Sequence, residues 1–172
     1  VMGLGRFGGG IGVTRWLAEQ GAEVLVTDRE APEDLAASVA KIRDLVDSRS
    51  VSLRLGSHNV SDFTACDLVV ANAAVLRPWE DRYLRSAEAA RIPITTEIVL
   101  MLQSLPAHVR ARTVAVTGSV GKSTTVSMIQ HALERVGSAM GRTVFLGGNI
   151  GGSLLGRGGE IGTGIRLLIF AA

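Results

Sequence analysis

The sequence has 172 residues, of which 47% are hydrophobic, and its 18 basic and 16 acidic side chains leave a formal charge of +2. These values exclude a disordered chain, and they exclude a broad basic surface for nucleic acid or for a membrane. The single cysteine, Cys66, excludes an internal disulfide and a thiolate metal cluster, and no apolar run reaches the roughly 20 residues of a membrane span. We therefore expect a cytoplasmic protein with a buried core.

Apolar runs of strand length alternate with stretches of helical period, which is typical of a parallel sheet with helices on its faces. The predicted strands of the first part are a strand end at residues 1–2 and runs at 24–27, 53–55, 68–71 and 94–95. The predicted helices cover residues 11–20, 32–47, 78–91 and 97–105. The second helix begins at Pro32, which the first turn of a helix tolerates, and its apolar stripe is formed by Leu35, Val39, Ile42 and Val46.

A second unit is predicted after a linker at residues 106–112. Its elements are a strand at 113–116, a helix at 122–136, a strand at 143–146, a glycine-rich loop at 156–164 and a final strand from 167. The sequence thus predicts two domains, residues 1–111 and residues 112–172, the second of them incomplete. Both ends are expected to be cut, because two residues of a strand open the chain and an apolar strand closes it.

A glycine-rich turn, Gly3-Leu4-Gly5-Arg6-Phe7-Gly8, lies between the first strand and the first helix, and Asp28 ends the next strand. This is the context of the dinucleotide-type fingerprint. The first glycine permits the tight turn, the second lets the backbone approach a diphosphate, and the third lets the helix pack on the sheet. We expect Asp28 to bind a ribose hydroxyl or a base edge. The alternative is a tight turn that binds no ligand.

A second glycine turn, residues 116–125, lies between a strand and an amphipathic helix that carries Val126, Ile129 and Leu133. It departs from the strict phosphate-loop spacing because Val116 stands where that pattern has glycine. Its chemistry is nevertheless that of a phosphate-binding loop. Gly118 and Gly121 free the backbone to fold round a triphosphate, Lys122 neutralises β- and γ-phosphate oxygens, and the Ser123 hydroxyl can bind Mg²⁺. A chance occurrence of these residues in a surface helix is the alternative.

Weaker signals lie at two further strand ends. Residues 147–151 form another glycine turn around Asn149, and residues 72–74 follow the strand at 68–71, at the sheet edge where open α/β folds bind ligands. The three histidines, His58, His108 and His131, have no metal-ligand spacing and are interpreted as structural or surface residues. Taken together, the motifs predict a Rossmann-like parallel-sheet domain followed by the start of a P-loop ATPase-type α/β domain.

With T-G-S-V-G-K-S-T at residues 117–124 and G-G-N-I-G at 147–151, the whole chain resembles the Mur ligase family, and most closely its D-glutamate-adding members. In that family the first domain binds the UDP part of the substrate, the central domain binds ATP and Mg²⁺, and a third domain receives the amino acid. The resemblance implies a monomeric, ATP-dependent ligase of peptidoglycan synthesis. It would join D-glutamate to UDP-N-acetylmuramoyl-L-alanine through an acyl phosphate.

The resemblance also implies functional residues at matching positions. Those for the UDP substrate are Leu4, Gly5, Arg6, Phe7, Gly8, Asp28, Arg29, Ala74 and Asn149. Those for ATP are Gly118, Ser119, Val120, Gly121, Lys122, Ser123 and Thr124. Among these, Ser123 would hold Mg²⁺, and Lys122 would be the catalytic residue that stabilises the transferring phosphoryl group.

Three departures from the family pattern shape the expectations. Val120 stands where asparagine or histidine is common, and Ala73-Ala74 replace a Pro-Gly pair. The family's glutamate for Mg²⁺ and its third domain have no counterpart up to Ala172, so we expect the chain alone to be inactive.

Two other functions stay open: an NAD-dependent oxidoreductase with Asp28 on the ribose, which leaves the loop at Lys122 unexplained, and a non-catalytic nucleotide-binding remnant.

Overall fold

The computed structural model describes residues 1–6, 8–139, 143–148, 153, 155 and 166–171. The chain divides into two compact units, Val1–Val99 and Leu100–Ala172, and each is built from helices and parallel strands. This confirms the α/β class. The domain boundary expected after residue 111 falls inside the second unit and stays a prediction.

The sheet of the first unit is organised around Met2. Its strands are β1 (Val24–Asp28), β2 (Val51–Leu55), β3 (Val69–Ala71) and β4 (Ile94–Thr96), paired in parallel as β1 with β2 and β3 with β4. Met2 lies between the two pairs because it forms parallel bridges with Thr27 of β1 and with Ala71 of β3. The carboxyl ends of these neighbouring segments therefore meet at one edge.

Six helices begin in the first unit: α1 (Gly9–Glu19), α2 (Ala36–Ala40), α3 (Arg43–Asp47), α4 (Ser61–Thr64), α5 (Arg82–Ala89) and α6 (Glu97–Ser104). Their apolar faces cover the sheet in two clusters. One contains the buried residues Leu4, Val24, Val26, Ile42 and Val51. The other contains Met2, Phe63, Val69, Ala71, Tyr83, Leu84 and Ala87. Burial of these side chains is the main force that holds the strand ends in register.

The single helix predicted over residues 32–47 is wrong. Residues 32–35 form turns, and the helix is interrupted between α2 and α3, where Lys41 and Ile42 donate main-chain hydrogen bonds three residues back rather than four. Arg15 of α1 stabilises this interruption, because its guanidinium donates to the Lys41 carbonyl at 2.6 Å and to Asp44 at 2.9 Å. The predicted apolar stripe is nevertheless confirmed, since Leu35 and Ile42 are fully buried.

The second unit contains α7 (Ala107–Arg110), β5 (Thr113–Val116), α8 (Lys122–Ala139), β6 (Thr143–Gly148) and β7 (Arg166–Ala171). The three strands are parallel in the order β5, β7, β6. Helix α8 covers them through the fully buried Val126, against which Val116, Ile129, Leu133, Val144 and Leu146 pack. The linker predicted at 106–112 is wrong for α7, whose Val109 is buried.

Among the residues described, no helix is both long and apolar enough to cross a membrane. The glycine-rich loop predicted at residues 156–164 lies outside the described residues.

Candidate functional site

A cavity of about 340 Å³ opens at the carboxyl edge of the first unit's sheet. Its walls come from four segments that are distant in sequence: the first glycine turn, the end of β1, the loop after β2 and the loop after β3. The lining residues are Met2, Gly3, Gly5, Asp28, Arg29, Glu30, His58, Asn72, Ala74, Val75, Leu76 and Asp81. The volume lies within the range of small-molecule pockets, and ligands of open α/β sheets bind at this edge.

The glycine turn has left-handed backbone at Gly3, Gly5 and Gly8, with φ of 90°, 64° and 99°. The helix-packing role expected for Gly8 is wrong, because a Cβ placed there would meet no atom of the described residues within 4 Å. That role belongs to Gly10, where a Cβ would lie 2.2 Å from the carbonyl oxygen of Leu4. Gly8 instead supplies the left-handed residue at the start of α1.

Asp28 holds the glycine turn in place. Its side chain is buried, and Oδ2 accepts a hydrogen bond from the N–H of Gly5 at 3.1 Å, while Oδ1 accepts one from the N–H of Glu30 at 3.0 Å. Asp28 therefore lines the cavity, as predicted, but it also has a structural task that the sequence motif does not reveal. Because the N–H of Gly5 is engaged, an anion at this turn would depend on other main-chain groups.

Two further side chains hold the carbonyl groups of the same turn. The Asn72 amide donates to the Gly3 carbonyl at 3.1 Å, and its own oxygen accepts from the N–H of Ala74 at 2.9 Å. The Ser38 hydroxyl, on α2, donates to the Gly5 carbonyl at 2.8 Å. Ser38 carries no sequence signal for this contact, since 33 residues separate it from Gly5.

Of the other residues expected at the turn, Leu4 is fully buried in the core, main chain included, and does not line the cavity. Arg6 is exposed and pairs with Glu30 at 2.9 Å and with Asp34 at 3.5 Å. The hydrogen bond and charge of Glu30 raise the pKa of the Arg6 guanidinium, which stays cationic. Arg6 does not line the cavity wall, but it stands beside it.

Arg29 lies at the mouth of the cavity, where Asp81 binds it. The guanidinium is 3.0 Å from Asp81 Oδ2 and 5.7 Å from the centre of the Tyr83 ring. The same Asp81 carboxylate caps α5, because Oδ1 accepts from the N–H of Tyr83 at 2.9 Å and of Leu84 at 3.2 Å. Sequence reasoning missed Asp81, although an aspartate directly before a helical stretch is a common N-cap signal.

His58 was interpreted as a structural or surface residue, and the structure places it in the cavity wall. Its ring packs edge-on against Phe63 and Tyr83, with centroids 5.6 and 5.1 Å away. Burial, together with the positive charge of Arg29, lowers the pKa of His58 below its ordinary 6.5. The imidazole is therefore neutral at neutral pH, and its buried Nδ1 has no hydrogen-bond partner within the described part of the chain.

The N-terminal end of α1 has a carboxylate beside it. A Cβ built on Gly9 would lie 2.5 Å from Oε2 of Glu97, so this side chain occupies the space next to the helix end. An acidic group at this position interacts favourably with the N-terminal end of the helix dipole. Glu97 is a further residue that no motif singles out.

The second glycine turn, residues 117–121, has left-handed backbone at Gly118 and Gly121, with φ of 144° and 80°. The ammonium of Lys122 folds back and donates to the Gly118 carbonyl. Ser119, Val120, Ser123 and Thr124 are exposed around it, at the start of the 18-residue helix α8. The predicted order of strand, glycine turn and helix is thus observed here.

Two predicted site residues, Phe7 and Asn149, lie outside the described residues. Within the part of the chain that the structure describes, no three His, Cys, Asp or Glu side chains cluster closely enough to hold a metal ion.

Comparison with known proteins identifies close relatives. The chain is 39% identical to UDP-N-acetylmuramoylalanine–D-glutamate ligase of Borreliella burgdorferi strain ZS7 over 155 residues, which are 90% of this chain and 31% of that protein. It is 41% identical over 134 residues to the ligase of the same name from Roseiflexus sp. strain RS-1, covering 78% of this chain and 27% of the relative. The predicted resemblance to the Mur ligase family is confirmed.

A further Mur ligase relative, from Geobacter metallireducens, is 38% identical over 162 residues, which are 93% of this chain and 32% of the relative. The chain thus spans about a third of the length of the curated Mur ligases that it matches. No family model matches the chain. Among solved structures, a pseudomurein peptide ligase type C from Methanothermus fervidus aligns with 100% of this chain and 32% of its own, with a TM-score of 0.47 and 19% identity.

Proposed function

We propose that the chain supplies the nucleotide-binding parts of a ligase that joins D-glutamate to UDP-N-acetylmuramoyl-L-alanine in peptidoglycan synthesis. The first unit, a Rossmann-like domain, would bind the UDP moiety, and the second would begin a P-loop ATPase-type domain. The observation that carries this proposal is the presence of two glycine turns, at Gly3–Gly5 and Gly118–Gly121, each with left-handed glycines and each followed by a helix. The names of the relatives supply the reaction.

The cavity of the first unit has the chemistry that a nucleoside diphosphate needs. Asp28 and the Ala74 main chain offer polar groups at its walls, and Arg29 offers a positive charge at its mouth. Arg6 stands beside the turn and would face a diphosphate there once it exchanges Glu30 for the ligand. Charge-assisted hydrogen bonds of this kind are stronger than neutral ones.

The second turn fits ATP and Mg²⁺. Its residues Gly118 to Thr124 would surround the phosphates, with the Lys122 ammonium at the loop and the Ser123 hydroxyl exposed at the helix start. ATP supplies the phosphoryl group that activates the substrate carboxylate, and Mg²⁺ neutralises phosphate charge. Lys122 would move from the Gly118 carbonyl to the phosphate oxygens and hold negative charge there. The expected monomeric state and cytoplasmic location stay predictions.

An NAD-dependent oxidoreductase is a weaker proposal, because that function does not explain the glycine turn at Lys122. Titration calorimetry of the chain with UDP, UDP-N-acetylmuramoyl-L-alanine and NAD separates the two. We expect a response to both UDP ligands and none to NAD. Binding of NAD without any response to either UDP ligand would overturn the ligase proposal.

ATP binding tests the second unit separately. Lys122→Ala should weaken ATP binding at least about tenfold, because a charged contact to phosphate is lost. Lys41→Ala is the matched control, since Lys41 is an exposed lysine of the first unit. Equal ATP affinity in the wild type and in Lys122→Ala would remove the assigned role of Lys122.

A further inference from the structure

The carbonyl groups of the first glycine turn are held by side chains from two other parts of the fold. Asn72, at the end of β3, donates to the Gly3 carbonyl at 3.1 Å, and Ser38, on α2, donates to the Gly5 carbonyl at 2.8 Å. Both hydrogen bonds are partly buried, and each joins the turn to an element that is distant in sequence.

Their geometric effect follows from the planarity of the peptide group. In a trans peptide the C=O of one residue and the N–H of the next point in opposite directions. Fixing the Gly5 carbonyl therefore fixes the direction of the N–H of Arg6, which is an exposed residue. Within the described part of the chain, this N–H has no acceptor.

The turn is also closely packed against Asn72. A Cβ built on Gly3 would lie 3.0 Å from Cβ of Asn72, and one built on Gly5 would lie 3.3 Å from its Nδ2. The Asn72 oxygen meanwhile accepts from the N–H of Ala74 on the opposite wall. Asn72 thus ties the glycine turn to the loop after β3, and Ser38 ties it to α2.

We infer that Ser38 and Asn72 are positioning residues for a nucleoside diphosphate: Ser38 turns the Gly5 carbonyl towards a protein donor and leaves the N–H of Arg6 for the diphosphate, and Asn72 holds the glycine turn against the loop after β3. This inference rests on the proposed function of the first unit. It adds two side chains that act by fixing the main chain of the turn. Preorganised N–H groups recognise an anion without a reorganisation cost during binding.

Two alanine variants remove the donors one at a time. Asn72→Ala removes the hydrogen bonds of the Asn72 side chain to the Gly3 carbonyl and to the N–H of Ala74. Ser38→Ala removes the hydroxyl that donates to the Gly5 carbonyl and leaves a small, apolar side chain. Ser38→Thr restores a hydroxyl and should rescue the Ser38→Ala defect. The matched controls are Asn59→Ala, which removes a similar contact to the N–H of Ser61, and Ser86→Ala, which removes a hydroxyl bonded to a helix carbonyl.

The readout is the affinity for UDP compared with that for uridine, measured well below each variant's melting temperature. We expect each alanine variant to bind UDP about tenfold more weakly and uridine within about twofold of the wild type, since only the diphosphate uses the N–H that the fixed turn presents. Unchanged UDP affinity, or an equal loss for UDP and uridine, would overturn the inference. If the wild type itself binds no UDP, the proposed function fails instead.

A measurement on the wild type tests the inference even if the alanine variants do not fold. In amide ¹H–¹⁵N spectra, UDP should shift the resonance of Arg6, while uridine should shift it much less. If UDP binds and leaves this resonance in place, the peptide group does not contact the diphosphate, and the inference is wrong.

Discussion

The carboxylate of Asp28 accepts a hydrogen bond from the main-chain N–H of Gly5, 3.1 Å away, and thereby joins the end of β1 to the glycine turn. Its other oxygen accepts from the N–H of Glu30 at 3.0 Å. Asp28 is therefore a structural residue of the cavity as well as a candidate ligand contact.

Asp28→Ala should lower the free energy of unfolding by about 1 to 3 kcal/mol, because two main-chain donors lose a charged acceptor. Urea denaturation measures this, and the exposed Asp67→Ala is the control, expected within about 0.5 kcal/mol of the wild type. Unchanged stability together with weaker UDP binding would mean that Asp28 acts on the ligand alone.

Gly10→Ala should be strongly destabilising, whereas Gly9→Ala should be tolerated. At Gly10 the new Cβ would overlap the Leu4 carbonyl, which belongs to rigid backbone, and we expect a loss of about 2 kcal/mol or more. At Gly9 the overlap is with Oε2 of Glu97, the far end of a flexible side chain, whose displacement costs less than a shift of backbone, so we expect a smaller loss than at Gly10. Denaturation of both variants tests the difference, and equal effects would contradict the packing role of Gly10.

Two substitutions at Asp81 separate its two contacts. Asparagine keeps the N-cap of α5 but removes the ion pair with Arg29, whose side chain is 64% exposed, so Asp81→Asn should change stability by less than about 1 kcal/mol. Asp81→Ala also removes the cap and should cost about 1 kcal/mol more. Melting temperatures of the two variants provide the comparison. If both variants melt at the same temperature, the cap contributes nothing.

The stability of the chain should fall as the pH drops below about 6.5, partly through His58. Its pKa is lowered in the folded state by burial and by Arg29, although Asp28, Asp62 and Asp81 oppose this shift. The unfolded chain therefore binds the proton more readily, so stability is retained above pH 6.5 and is lost as the pH falls towards the folded pKa. Denaturation between pH 5 and pH 8 measures the slope.

The aromatic variant His58→Phe should flatten that pH dependence, because it keeps the ring packing against Phe63 and Tyr83 but cannot be protonated. His131→Phe, at an exposed position of α8, serves as the control and should keep the wild-type slope. An unchanged slope in His58→Phe would show that other groups determine the acid sensitivity.

Local sequence patterns determined the β-strands, the longer helices and the two glycine turns, but not α4, α7 or the break between α2 and α3. The strand at residues 24–27 follows from a continuous apolar run, and the face of α8 that carries Val126 follows from periodicity, because neighbours three or four residues apart share a face. Gly3 and Gly118 could be assigned to turns since only glycine adopts their backbone conformation readily. These features depend on residues close in sequence, and the structure agrees with them.

Only the tertiary structure decided which distant residues complete the site. At the helix break Arg15 donates to the Lys41 carbonyl, and the packing glycine is Gly10 rather than Gly8. His58 and Asp81 line the cavity from separate parts of the chain. Ser38 contacts Gly5, although the two residues are 33 positions apart in the sequence. Such contacts arise when helices and strands pack against one another, and a single sequence carries no local signal for the partner that each side chain will meet.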